Sequence, residues 1–280
     1  MSETVLVTGG TGFIGQWCIV ELLRRGYSVR TTVRSLDSEH AVRAAVATAI
    51  DPGDRLTCVV ADLTSDVGWV DAVAGCDFIL HVASPMGGAD ETNEDAMTDA
   101  ARECTVRVLR AATEAGVRRV VMTSAANAAS PTSYTEESVA DEALWTDLSA
   151  SGLPAYRRSK TAAEQAAWAF MSSVSGTTTL TTILPGAVFG PVLSKSNIGS
   201  TQVIRRMLTG AMPGTPKIGL EIVDVRDLVE MHLAAMLSPD AGGQRFLATG
   251  VRALPPARVR DNTVPPYDRT RRASRPGRGR

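Results

Sequence analysis

Histidine and cysteine are scarce in this chain, which has three of the first and four of the second among 280 residues. The cysteines, Cys18, Cys58, Cys76 and Cys104, lie far apart among apolar neighbours. They lack the close pairs of zinc sites and redox motifs, and read as buried thiols in a reducing compartment. His40, His81 and His232 are equally scattered, and two of the three sit beside apolar residues, as satisfied structural histidines do. No metal site is expected from ligands so dispersed. Long apolar runs are missing too: none approaches the roughly 20 residues that a bilayer span needs. No basic region precedes the strand-like Thr4–Thr8, so membrane insertion and export are not expected and the reading is cytoplasmic. Hydrophobic residues at 44% and charged residues at 21% are ordinary for a globular protein, which excludes a fibrous or wholly disordered chain.

The net charge of −1 conceals an asymmetry. Residues 251–280 carry nine arginines and five prolines, no lysine, and only Asp261 and Asp268 as acids, a charge of +7 that leaves −8 on residues 1–250. This end has no apolar period, so it reads as disordered. It also lacks the aromatic interleaving or basic helix of a nucleic-acid arm, and no nucleic-acid partner is expected. The abrupt change of composition suggests a shifted reading frame, which an apolar, helix-forming continuation in another frame would reveal.

Short β-branched runs alternate with segments of helical period. The runs are Thr4–Thr8, Ser28–Val33, Leu56–Ala61, Phe78–Val82, Arg119–Thr123 and Thr179–Leu184, with long helices at about Phe13–Arg25, Glu94–Ala115 and Tyr156–Met171. Alternation of this kind predicts parallel strands joined by helical crossovers, and nearly all-apolar strands predict helices on both faces. The fold class is therefore α/β, a Rossmann-type doubly wound parallel sheet over residues 1–184. Residues 185–250 read as a small C-terminal substrate lobe with helices near Ser200–Thr209 and Arg226–Leu237, the last strand returning to the sheet. The long helices could also pair two copies across a two-fold axis.

The segment Thr8-Gly9-Gly10-Thr11-Gly12-Phe13-Ile14-Gly15 follows the first strand and opens the first helix. Gly9 suits a tight turn, Gly12 the close approach of a pyrophosphate, and Gly15 close packing of helix on strand, while the helix N-terminus offers free N–H groups. After the second strand, where an acid would bind the ribose 2′-hydroxyl of NAD, stands Arg34, which suits the 2′-phosphate of NADP. Asp37 nearby moderates that preference, leaving NAD(H) as the lesser alternative. Asp62 could accept from the adenine amino group or cap the segment after it.

Tyr156 and Lys160 are four residues apart, hence one turn apart on one helix face. A phenol is too weak an acid for efficient proton transfer at neutral pH, and a neighbouring ammonium favours its phenolate, so the pair can cycle a proton.

These motifs resemble the extended short-chain dehydrogenase/reductase family, most closely its dihydroflavonol reductase-like branch within the NAD-dependent epimerase/dehydratase superfamily. The resemblance runs from about Thr4 to Gly250. Residues that carry it are Thr8–Gly15, Gly26–Arg34, Asp62-Leu63, His81–Met86, Arg118–Ser124, Tyr156 with Lys160, and Pro185–Pro191. It implies that Tyr156 protonates a ketone or aldehyde oxygen as hydride leaves NADPH, with Lys160 lowering the Tyr pKa and holding the nicotinamide ribose. It also implies cofactor contacts from Phe13, Ile14, Leu63, Val82, Ala83, Ser84, Pro185 and Val188, and places specificity in loops around Pro85-Met86, Tyr134 and Pro191–Thr201. Two positions depart from the family. Where a carbonyl-polarising Ser is usual, the chain reads Thr123-Ser124-Ala125-Ala126, so Ser124 or Asn127 would have to donate instead. Where an Asn is frequent, it reads Cys104-Thr105-Val106-Arg107. The competing functions are a nucleotide-sugar epimerase or dehydratase, which needs a larger C-terminal lobe, and a non-catalytic NADP-binding sensor, which Ala125 would suit.

Overall fold

Along the first strand, Thr4–Thr8 (β1), side chains alternate between two apolar clusters: Val5 and Val7 enter one and Leu6 the other. That is the two-residue period of a strand buried on both faces. In the computed structural model, residues 2–85, 94–131, 139–196, 198–212 and 221–250 are described. Helix Phe13–Arg24 (α1) leads to Ser28–Val33 (β2), Glu39–Ala47 (α2), Leu56–Val60 (β3), Trp69–Val73 (α3) and Phe78–His81 (β4). Glu94–Glu114 (α4), Arg119–Thr123 (β5), Ala155–Ser173 (α5), Thr179–Pro185 (β6) and Ala187–Phe189 (β7) come next. Thr201–Leu208 (α6), Ile222–Asp224 (β8), Val225–Leu237 (α7) and Arg245–Ala248 (β9) complete the order.

Seven strands form one sheet in the order β3-β2-β1-β4-β5-β6-β9, and every pairing in it is parallel. The order reverses between β1 and β4, the switch point where doubly wound sheets open a crevice for ligands at their carboxyl ends. α1 and α7 cover the Val5/Val7 face, with Leu22, Leu23, Leu228 and Leu233 fully buried. The Leu6 face is covered by α3, α4 and α5 through Trp69, Val108, Leu109, Ala163 and Ala167. Each fully buried Leu or Ile contributes about 1.5–3 kcal/mol over exposure, so both faces supply stability.

The two short strands β7 and β8 pair parallel in a separate ribbon, to which the sequence assigned no strands. β6 continues through Pro185, one residue past the boundary expected between sheet and lobe. Residues up to 250 form one compact unit, in which β9 lies beside β6. The arginine-rich end, with Met86 and Tyr134, lies outside the described residues. No helix of the described residues is long and apolar enough to cross a membrane.

Candidate active site

The turn between β1 and α1 is close-packed backbone. Gly9 has φ +75°, a left-handed conformation that L side chains rarely adopt, and a Cβ on it would meet the Ala83 Cβ at 3.0 Å. At Gly15 a Cβ would overlap the Gly9 carbonyl oxygen, which is why the helix can start directly over the turn. Gly10 was not singled out from the sequence, yet a Cβ there would run into the Thr31 hydroxyl. Gly12 caps α1 with no side-chain hydrogen bond, leaving the first-turn amides without a side-chain partner. Phe13 is buried in the core and Ile14 is half-buried, so what these two can offer an anion is backbone N–H. A cradle that Cβ atoms would fill, at a helix N-terminus beside the switch point, fits a dinucleotide pyrophosphate.

Thr8, the last residue of β1, ties this turn to β4. Its hydroxyl pairs with His81 Nδ1 at 2.9 Å and accepts from the Ala83 N–H at 3.0 Å. His81 is 2% exposed, and burial pulls its imidazole down to about 3, helped by the charge of Lys160. His81 is therefore neutral at physiological pH. Val82, Ala83 and Ser84 follow it, all half-buried.

Arg34, just past β2, is exposed and makes no hydrogen bond among the described residues, though it lies close enough to Asp62 to help lower that carboxyl. The Asp37 carboxylate accepts from the Ser35 hydroxyl at 2.9 Å and stays within its own turn, so it does not compete for Arg34. Asp62 is held below the usual carboxylate range mainly by the backbone N–H and the hydroxyl of Thr64, at 2.8 and 2.7 Å. It closes a local turn and caps no helix, since α3 starts only at Trp69 with Gly68 as its cap. The carbonyl of half-buried Leu63 accepts from Arg107, which also pairs with Asp66; Arg107 thus fastens the loop after β3 to α4.

α5 begins at Ala155, so Tyr156 and Lys160 both lie in its first two turns. Tyr156 keeps 40% of its surface exposed, and its phenol makes no hydrogen bond among the described residues. Enclosure of the remainder raises its pKa above the ordinary tyrosine value, the opposite of the lowering that Lys160 was expected to cause. Lys160 is half-buried, and its ammonium is brought down to about 8 by burial, against the opposing field of Glu164.

Ser124 corrects the expectation placed on it. It is 2% exposed, and its hydroxyl donates to Glu164 Oε2 at 2.6 Å, so its single proton is committed inside the protein and is not offered to a carbonyl. Ala125 beside it is buried in extended backbone. Asn127 is half-buried; its main-chain oxygen accepts from Thr146 and Arg157, and its side-chain amide makes no hydrogen bond among the described residues. Pro185 ends β6 beside Ala248, and Val188 is buried in the core against β8.

Glu164 and Arg245 were missed as partners. Glu164 stands four residues past Lys160, the spacing that joined Tyr156 to Lys160, so its place on that face was legible. Its pairing with Arg245, at 2.9 Å and 81 residues away, was not. Cysteine chemistry finds no support: burial pushes Cys18 up to about 12 and Cys58 up to about 11, leaving neither thiol ionised at neutral pH. Among the described residues, no group of three or more His, Cys, Asp or Glu side chains could hold a metal ion.

A parallel sheet with a glycine turn at its switch point agrees with the model of the NAD dependent epimerase/dehydratase family, which matches residues 5–248. The chain belongs to that family. Within it, the relatives are extended short-chain reductases. An anthocyanidin reductase ((2S)-flavan-3-ol-forming) of Vitis vinifera is 32% identical over 90% of this chain and 78% of its own length. The dihydroflavonol 4-reductase of Zea mays is 33% identical over 86% and 68%, and cinnamoyl-CoA reductase 1 of Petunia hybrida 34% over 89% and 73%. Among solved structures, yeast methylglyoxal/isovaleraldehyde reductase Gre2 complexed with NADPH superposes with a TM-score of 0.77 at 26% identity, covering 88% of this chain and 78% of that one.

Proposed function

We propose that this chain is an NADPH-dependent reductase of a small or flavonoid-like ketone or aldehyde, with Tyr156 as proton donor and Lys160 as the cation beside it. The observation that carries this reading is the position of the Tyr/Lys helix against the carboxyl end of the sheet: Ser124, just past β5, donates to Glu164, one turn beyond Lys160 on α5. Thr8 and His81, at the ends of β1 and β4, are bonded to one another beside the glycine turn, which supports a cofactor crevice at that same carboxyl edge. The relatives' reductase activities and the NADPH of the yeast structure support the same reading.

In this account the backbone of Gly9–Gly15 holds the pyrophosphate, Arg34 pairs with the 2′-phosphate, and Asp62 and Leu63 line the adenine side. Val82, Ala83, Ser84, Pro185 and Val188 border the rest of the crevice. Bound NADPH supplies hydride. A raised phenol pKa keeps the proton on Tyr156 Oη throughout the neutral range, which is the state a donor needs for reduction. An ammonium near 8 is still mostly charged at pH 7 and stabilises the phenolate that appears as the proton leaves. With Ser124 committed to Glu164, the carbonyl lacks the usual serine donor, and the amide of Asn127 is the available replacement. Free thiols, with Cys18, Cys76 and Cys104 buried and Cys58 half-buried, suit a cytoplasmic protein. A homodimer through the outer faces of α4 and α5 is part of the proposal, and sedimentation tests it.

The test is NADPH oxidation, followed by absorbance, with a panel of aldehydes and ketones. Turnover of at least one carbonyl is expected. Tight NADPH binding with no turnover of any would favour the sensor reading, which Ala125 and the committed Ser124 hydroxyl suit.

A further inference from the structure

Glu164 lies one helical turn beyond Lys160 on α5 and is fully buried. Three elements of the sheet fix its carboxylate. Oε2 accepts from Ser124 Oγ on the loop after β5 at 2.6 Å. Oε1 accepts from Thr182 Oγ1 on β6 at 2.7 Å and from Arg245 Nε on β9 at 2.9 Å. Trp168 Nε1 approaches Oε1 from the next turn of α5 at 3.4 Å. Arg245 is itself locked: it donates to the carbonyls of Glu142 and Leu144 at 2.6 and 2.9 Å, and its guanidinium stacks 3.6 Å from the centre of the Trp145 ring. A buried ion pair adds little net stability over apolar side chains of the same volume, so anchoring alone is a weak reason for this cluster. Its location suggests a second role, because residues four apart on a helix share a face.

We propose that Glu164 is a positioning residue acting on the charge of Lys160: clamped by Ser124, Thr182 and Arg245 one helical turn past the lysine, its carboxylate is a fixed negative charge on the helix face they share and keeps the lysine charged. The field of Glu164 favours the ammonium and opposes burial, the larger effect, which brings Lys160 down to about 8. The other groups facing Lys160 do not replace it. His81 on β4 is neutral, and Tyr156 carries its proton. Arg245 faces Glu164 from β9 and pairs with it. The last strand thereby bears on the acid–base helix through one ion pair. This inference rests on Lys160 being the cation of the reaction, yet its test does not depend on turnover.

The chain contains only three lysines, Lys160, Lys195 and Lys217, so the Cε resonances of selectively 13C-labelled protein can be titrated and Lys160 assigned by its loss in Lys160→Met. The double variant Glu164→Gln/Arg245→Met removes both charges, leaves neither ion buried alone, and keeps an oxygen acceptor for one of Ser124 and Thr182, while the other hydroxyl can turn to accept from the amide. Its Lys160 pKa should fall by about one unit, and the alkaline limb of carbonyl reduction should fall with it. Glu164→Asp, which retains the charge, should titrate as the wild type. Should the double variant not fold, Glu164→Gln alone should shift Lys160 in the same direction, Arg245 keeping its carbonyl acceptors on Glu142 and Leu144 and its stack on Trp145. An unmoved Lys160 titration in the folded double variant or in Glu164→Gln would overturn the proposal. Loss of reductase activity in every form, with these shifts intact, would strike the functional reading and leave this one standing.

Discussion

Two buried histidines make stability sensitive to mild acid. His232 is fully buried on α7: Nδ1 donates to the Leu228 carbonyl at 2.8 Å, which leaves Nε2 as the acceptor of the Thr123 hydroxyl at 2.7 Å. Burial pulls its imidazole down to about 4, and that of His81 to about 3, from the ordinary histidine value of 6.5. Both folded pKa values are depressed, so below pH 6.5 the unfolded chain binds protons that the folded chain refuses. Stability is then lost progressively as pH falls from 6.5 toward 4. Between pH 7.5 and 5 each unfolded imidazole gains about 2 kcal/mol, so the pair removes about 4 kcal/mol. Against the roughly 5–15 kcal/mol of a typical domain that is a large share. Asp62 and Asp224 have pKa values below the carboxylate norm and titrate under this window, so they do not obscure it. Urea denaturation at pH 7.5, 6 and 5 reads the effect. His232→Gln, which can keep one of the two hydrogen bonds, should halve the pH dependence whatever it does to absolute stability. An identical pH dependence in wild type and variant would refute the reasoning.

Arg34→Ala should weaken NADPH binding about 10- to 100-fold, the worth of a charge-assisted hydrogen bond, and NADH by less than about threefold; equal losses in a fluorescence titration would remove Arg34 as the 2′-phosphate contact. Ala125→Ser restores a hydroxyl where the family usually has one and should raise kcat on the order of tenfold or more; unchanged kcat would mean that another group, Asn127 first, already polarises the carbonyl. Gly15→Ala drives a methyl into the Gly9 carbonyl and should lower the melting temperature and NADPH affinity together; a neutral result would contradict the close-packing account of the turn.

The large strands were legible because they are buried on both faces: β1, β2 and β5 match the apolar runs residue for residue. β7 and β8 were not, since three residues show no period and Ile222 is exposed. In the site, spacing revealed what is local: the glycines of the turn, and Tyr156 with Lys160. What spacing could not reveal was reach across the fold. Ser124 looked available until Glu164, 40 residues on, accepted its hydrogen bond, and Glu164 in turn is held by Arg245 from the last strand. Tyr156 likewise shows why i,i+4 proximity does not fix a pKa, since enclosure of its ring raises it despite the lysine one turn away in sequence.

The claim that the chain performs acid–base carbonyl reduction is tested most directly by Tyr156→Phe, which removes one oxygen from a side chain that bonds to nothing else described. On a carbonyl that the wild type reduces, the variant should lose a factor of about 100 to 10,000 in kcat, the worth of a positioned proton donor, while its Kd for NADPH stays within about twofold. Undiminished kcat in Tyr156→Phe would contradict the account.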